Sequence, residues 1–173
     1  MESKAKMFGH AIHPILIVFP LGLLATSVIF DVVYLLTSSP TWHIVSFWMI
    51  TAGIIGGLLA AAFGLIDFLN IPSGTRARNI GAIHGLMNVV VVGLFAGSLW
   101  LRHSSDDIPS TGALVLSFLG LLLALVGGWF GGELVERLGM SVSPGANLNA
   151  PSSLTSKPVT KTPASPTPLR RAS

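Results

Sequence analysis

Imidazoles at His10, His13 and His84, carboxylates at Asp67 and Glu133, and the carboxamide of Asn88 are groups in this chain that can ligate a metal or pass a proton. All lie inside or at the margins of apolar stretches. A carboxylate at mid-bilayer depth costs about 2.5–3.5 kcal/mol, so it is expected to face a partner or a wet cavity rather than hydrocarbon. His84 and Asn88 are four residues apart, which sets an imidazole and a carboxamide on one helix face, with Asn88 about 6 Å deeper. A b-type haem needs two neutral imidazoles on different helices at one depth. His13 and His84 are the pair that meets both conditions, with Asn88 beside them. A second chemistry uses His13, Asp67 and His84 as a two-histidine, one-carboxylate set for a divalent metal, Fe(II) or Zn(II), with His10 or Glu133 completing or tuning it.

Positioning these groups falls to four apolar stretches, expected as helices at about residues 14–37, 43–69, 79–102 and 110–136. At 1.5 Å rise per residue, roughly 20 residues cross the hydrocarbon core, and each stretch reaches that length. A soluble core helix would not stay apolar on every face for so long. The connections are short and rich in Pro, Gly and Ser: Thr37-Ser38-Ser39-Pro40, Asn70-Ile71-Pro72-Ser73-Gly74 and Ser104-Ser105-Asp106-Asp107-Ile108-Pro109. Short loops make antiparallel neighbours. The expected fold is therefore all-α: an integral membrane four-helix up-down bundle over residues 1–139, followed by a disordered Pro/Ser/Thr-rich tail over 140–173. The first stretch is too long for the apolar core of a signal peptide and is read as a retained helix.

Lys4, Lys6, Arg76, Arg78 and Arg137 flank one set of helix ends. The first loop has no basic residue, and the third has Arg102 beside Asp106 and Asp107. The positive-inside rule then predicts a multi-pass protein of the cell inner (plasma) membrane with both termini cytoplasmic. On that topology Trp42, Trp48 and Trp100 fall near the outer interface, while His10, His13, Asp67, His84 and Glu133 share the inner third. Asp31 lies 18 residues beyond His13, roughly 27 Å along a helix, so it belongs to the outer half near Ser27, Tyr34, His43 and His103.

The composition of the 173 residues agrees: 51% are hydrophobic, only 10% are charged, and the mean hydropathy is +0.74. Lys157, Lys161, Arg170 and Arg171 supply four of the ten basic residues; the remaining six against seven acids leave a net charge of −1. The high pI thus describes the tail and gives the body no nucleic-acid footprint. With no cysteine, disulfides, thiolate metal sites, Cys-ligated iron–sulfur clusters and covalent c-type haem are excluded. No Gly-x-Ser-x-Gly elbow supports a serine hydrolase. Small residues recur at four-residue spacing, as in Gly53-Gly57-Ala61, Gly81 with Gly85 and Gly127 with Gly131, which favours close helix packing.

Structural roles compete for the same side chains. His10 suits an interfacial position, Asp67 an ion pair with Arg76 or Arg78, and Glu133 an exposed pair with Arg137 four residues later. Two other function classes stand beside the haem or metal centre. One is a proton or ion relay from Asp67, His84 and Glu133 toward Asp31 through Asn88 and Ser117. The other is a structural membrane anchor whose buried polar groups set helix registry. The partner expected in every case is the lipid bilayer, with a homo-oligomer or a redox partner as further expectations.

The string His13-Pro14-Ile15-Leu16-Ile17-Val18-Phe19-Pro20-Leu21-Gly22, then Asp31, Gly64-Leu65-Ile66-Asp67, His84-Gly85-Leu86-Met87-Asn88, and Gly131-Gly132-Glu133-Leu134-Val135 with Gly139, resembles a bacterial four-helix membrane family. That family is catalogued as domain of unknown function 2231. The resemblance covers about residues 9–142 and implies an integral membrane protein. It also implies a redox association, because related domains are sometimes joined to Rieske-type iron–sulfur domains in other chains.

Overall fold

The computed structural model describes residues 1–103 and 108–155. Four long apolar helices run Ile12–Thr37, Pro40–Leu69, Arg76–His103 and Thr111–Arg137, here called the first to fourth spans. Only 17–22% of the residues in the most apolar window of each span are buried within the chain, so most of each helix surface is apolar and faces outward. Such a surface is stable against lipid and not against water. The chain is a membrane protein with four candidate spans.

The span limits have local causes. The first span starts two residues earlier than expected and is interrupted at Ile17, because Pro20 has no N–H to give Leu16; the helix resumes with Leu21 N donating to Ile17 O at 3.1 Å. It stops where Ser38 turns left-handed, with φ of 54°. The second span begins at Pro40, three residues earlier than expected, since proline at the first helical position has its φ already set and no N–H to lose. Thr75 Oγ1 accepts from Arg78 N and starts the third span. Ser110 Oγ accepts from Ala113 N and starts the fourth. The fourth span ends in a π turn over Glu133–Arg137, closed by Leu138 N to Glu133 O at 3.2 Å. Residues 104–107, with Asp106 and Asp107 of the third loop, and residues 156–173 of the tail lie outside the described residues.

Spans one and two form one closely packed helical hairpin, and spans three and four another. The two hairpins meet less extensively, through spans two and three and spans one and four. Buried positions repeat between them. Leu24, Ser27 and Asp31 of the first span correspond to Phe95, Ser98 and Arg102 of the third at an offset of 71 residues. Likewise Ile50, Gly53 and Ala60 of the second correspond to Ser117, Gly120 and Gly127 of the fourth. The packing repeats too: a Cβ on Gly53 would lie 2.6 Å from Leu24 Cδ2, and one on Gly120 would lie 2.7 Å from Phe95 Cε2. The bundle is a pseudo-two-fold pair of hairpins. Its core, Leu24, Val28, Ile50, Val91 and Phe95, fills the middle of the bundle.

Phe95 is fully buried and cannot swing away, so Gly120→Ala overpacks this core. A loss of about 1–3 kcal/mol is expected, read as a lower thermal midpoint in detergent.

The end of the bundle where the first span begins and the fourth ends, here the proximal end, is closed by the N-terminal segment. A two-residue antiparallel ladder pairs Lys6–Met7 with His10–Ala11, and Ser141 N donates to Met1 O at 2.8 Å. Residues 140–155 contain no helix or strand, and they turn back to place Ser153 Oγ 3.1 Å from His10 Nε2.

Candidate functional site

The polar residues fall into two layers separated by the apolar core. At the proximal layer, His13 Nδ1 lies 2.8 Å from Ala60 O of the second span, and His84 Nδ1 lies 2.9 Å from Gly127 O of the fourth. A carbonyl oxygen only accepts, so each Nδ1 carries a proton and each neutral ring keeps its lone pair on Nε2. Glycine makes both contacts possible. A Cβ on Gly64 would lie 2.9 Å from His13 Nδ1, and one on Gly131 would lie 3.2 Å from His84 Cε1. Each imidazole therefore rests on a helix where glycine, four residues after the accepting carbonyl, leaves the backbone bare. This is the same pseudo-two-fold repeat, applied to a pair of potential ligands.

The two rings face each other across the hairpin boundary with centroids 6.4 Å apart and planes at 86°. Both side chains are partly buried. Asn88 sits beside this pair as its spacing predicts. Its Nδ2 donates to His84 O at 2.8 Å and lies 3.4 and 3.3 Å from the two ring nitrogens of His84, so the amide covers the imidazole face.

Asp67 does not join them. Its two carboxylate oxygens accept from Ser3 Oγ at 2.8 Å each, and one accepts from Lys4 N at 2.9 Å. The carboxylate is spent on pinning the N-terminal segment to the end of the second span. Nor does it pair with Arg76 or Arg78. Arg76 bonds Glu133 at 2.6 Å, while Arg78 Nη1 caps the second span through Phe68 O at 2.6 Å and stacks on the Phe68 ring. Glu133 thus pairs between spans and not with Arg137 along its own helix. His10 is exposed on the ladder, outside the imidazole layer. Among the described residues, no group of three or more His, Asp or Glu side chains is placed to hold a metal ion. The three-ligand set of His13, Asp67 and His84 is not assembled, because hydrogen bonds from Ser3 and Lys4 draw the carboxylate toward the bundle end. Asp67→Ala is accordingly expected to free the N-terminal segment while the spans hold. Limited trypsin digestion should then cut after Lys4 or Lys6 several-fold faster than in the wild type, with helical circular dichroism unchanged.

The distal layer holds a cluster that spacing alone did not reveal. Arg102 Nη2 meets Asp31 Oδ2 at 2.6 Å with both side chains wholly buried. Ser117 Oγ donates to the same oxygen at 2.8 Å, Arg102 Nε donates to Ser98 Oγ at 3.2 Å, and Arg102 Nη1 lies 3.3 Å from His43 Nδ1. All four spans contribute to it. Of the neighbours expected for Asp31, Ser27 and His43 are buried at this level and Tyr34 packs on His43, whereas His103 is exposed; Arg102 reads from the sequence as a loop charge. The available signal was its four-residue spacing from Ser98 and its depth, which matches that of Asp31.

No curated protein and no solved structure matches the chain. A family model described as a predicted membrane protein matches residues 9–144, which hold both imidazoles, the Asp31–Arg102 pair and all four spans. By that match, the chain belongs to the family of predicted membrane proteins defined by domain of unknown function 2231.

Proposed function

We propose that this protein is a redox component of the cell inner membrane in which His13 and His84 would hold a b-type haem. The observation that carries the reading is the facing imidazole pair. One metal ion held by both imidazoles would need a nitrogen of each at about 2.0–2.1 Å, so the two rings must lie close together. The rings here stand 6.4 Å apart. Their Nδ1–H groups are held by Ala60 O and Gly127 O, which fixes the tautomer that leaves the Nε2 lone pair unprotonated, with Asn88 Nδ2 3.3 Å from that of His84. When bound, the haem supplies one-electron chemistry. The chain's own part is to hold two neutral imidazoles at fixed spacing, with Asn88 covering one ring face and Gly64 and Gly131 leaving the helix surfaces open to them.

Basic residues at the proximal end, Lys4, Lys6, Arg76, Arg78 and Arg137, favour a cytoplasmic location for both termini. Arg102 at the other end does not offset them, since it is neutralised against Asp31. A proton relay between the layers is the weaker reading, because Leu24, Val28, Ile50, Val91 and Phe95 form an apolar barrier across the route. On a purely structural reading the two matched imidazole contacts set helix registry, a task that needs only Nδ1 of each ring and leaves Nε2 without one. The redox reading requires an electron partner; a Rieske-type protein is the candidate from the family resemblance.

The deciding experiment is an absorption spectrum of the full chain, expressed with ample haem and purified in mild detergent. One haem per chain is expected, with the split reduced bands of a six-coordinate low-spin centre. Colourless protein that also takes up no haem on titration overturns the proposal.

A further inference from the structure

The Asp31–Arg102 cluster contains two buried atoms that protein does not satisfy: Asp31 Oδ1 and Ser46 Oγ have no hydrogen-bond partner among the described residues. Both residues are completely buried. Their relation follows from the register of the first hairpin. His13 packs on Gly64, Pro20 on Gly57, Leu24 on Gly53, and Tyr34 on His43, so partners move in equal and opposite steps along the two helices. In that register the residue opposite Asp31 is Ser46. The two unsatisfied atoms therefore belong to residues at the same level of the first hairpin, both wholly buried. Leaving both without partners in a low-dielectric interior would cost about 1–3 kcal/mol each.

We infer that a buried water molecule occupies this position, donating one hydrogen to Asp31 Oδ1 and bonding Ser46 Oγ with its remaining capacity. The chemistry selects water over a metal cation. Arg102 already neutralises Asp31 through its other oxygen, and a second cation would sit beside a guanidinium with only a hydroxyl to add to the shared carboxylate. Water is neutral, both donates and accepts, and matches one acceptor and one hydroxyl at the same level. The residue equivalent to Ser46 in the second hairpin is Ala113, and its carbonyl is bonded by Ser98 Oγ at 2.7 Å. The water thus belongs to one hairpin only, and hydrates the carboxylate rather than the guanidinium. The distal cluster becomes a hydrated polar site instead of a dry ion pair.

Infrared spectroscopy of the full chain in lipid nanodiscs, hydrated in parallel with H₂¹⁶O and H₂¹⁸O, tests this. The wild type is expected to show a narrow O–H stretching band, distinct from bulk water, that shifts with ¹⁸O. In Ser46→Ala that band should move or vanish. In Thr51→Ala it should stay, because the Thr51 hydroxyl in the same helix already bonds Phe47 O. Absence of an isotope-sensitive narrow band in the wild type overturns the inference, as does a band unchanged in Ser46→Ala. A band that moves when Na⁺ is exchanged for K⁺ or choline overturns it in favour of a bound cation.

Discussion

Arg102→Ala should cost about 3–5 kcal/mol of bundle stability, the largest effect of any single replacement at the distal end. The guanidinium is wholly buried and reaches Asp31, Ser98, Ser117 and His43 from one side chain. Removing it leaves the Asp31 carboxylate buried without its counter-ion, with the Ser117 hydroxyl still bonded to Oδ2. Breaking such a pair is far more costly than never having had it, because the surviving ion keeps its desolvation penalty. The double replacement Asp31→Leu with Arg102→Met, which removes both charges and keeps most of the volume, should recover the greater part of that loss. Denaturant or thermal unfolding of both variants in detergent measures the difference. If Arg102→Ala were as stable as the wild type, the pair would be idle and the distal layer would need another explanation. The pair also crosses the pseudo-two-fold boundary, joining the first hairpin to the second. Its single variants should therefore loosen the association of the hairpins before the packing within either one.

The second large effect concerns the proximal layer and rests on the haem proposal. His13→Ala and His84→Ala are each expected to abolish the six-coordinate low-spin spectrum, and the double variant to bind no haem. The two imidazoles occupy equivalent positions in the repeat, with hydrogen bonds of 2.8 and 2.9 Å, so neither ligand should dominate. Gly64→Val separates ligation from loss of the ring itself. A Cβ there would lie 2.9 Å from His13 Nδ1, and a branched side chain would lever the imidazole off Ala60 O. The expected result is loss of low-spin haem with His13 still present. Asn88→Ala should keep the centre, since Asn88 bonds the His84 backbone and covers the ring without holding its Nδ1 proton. Equal haem content in wild type and His84→Ala would refute the assignment of His84 as a ligand.

The pairing of Asp67 with the N-terminal segment shows where residue type misleads. A carboxylate at the end of an apolar helix, level with two histidines, suggests a third metal ligand. Yet Ser3 and Lys4 come from a stretch with no apolar pattern, and nothing in their spacing signals that they fold back onto Asp67. Arg102 was obscured for the opposite reason. A basic residue at the end of an apolar stretch and close to two aspartates has the look of a loop charge, whereas its side chain turns inward to Asp31. The hairpin repeat was equally hidden, because equivalent positions carry different residues: Leu24 and Phe95, Asp31 and Arg102, Ser46 and Ala113. Identity is kept only at scattered pairs, His13 and His84, Ser27 and Ser98, Gly53 and Gly120, Gly64 and Gly131, while burial and contact repeat throughout.

The amino-acid sequence alone determined that four helices are long and apolar enough to cross a bilayer, how they are joined, and that His13 and His84 share one level of the bundle while Asp31 lies at another. Depth follows from a fixed rise per residue, and apolar runs of this length have no other stable use. Tertiary structure decided which groups at a given depth meet. That choice depends on the rotation of each helix about its own axis, set by glycines such as Gly53, Gly64, Gly120 and Gly131 that admit a neighbouring side chain. Depth is a property of one helix and can be counted along it; azimuth is a property of four helices packed together, and it alone turned His13 toward His84 and Asp31 toward Arg102.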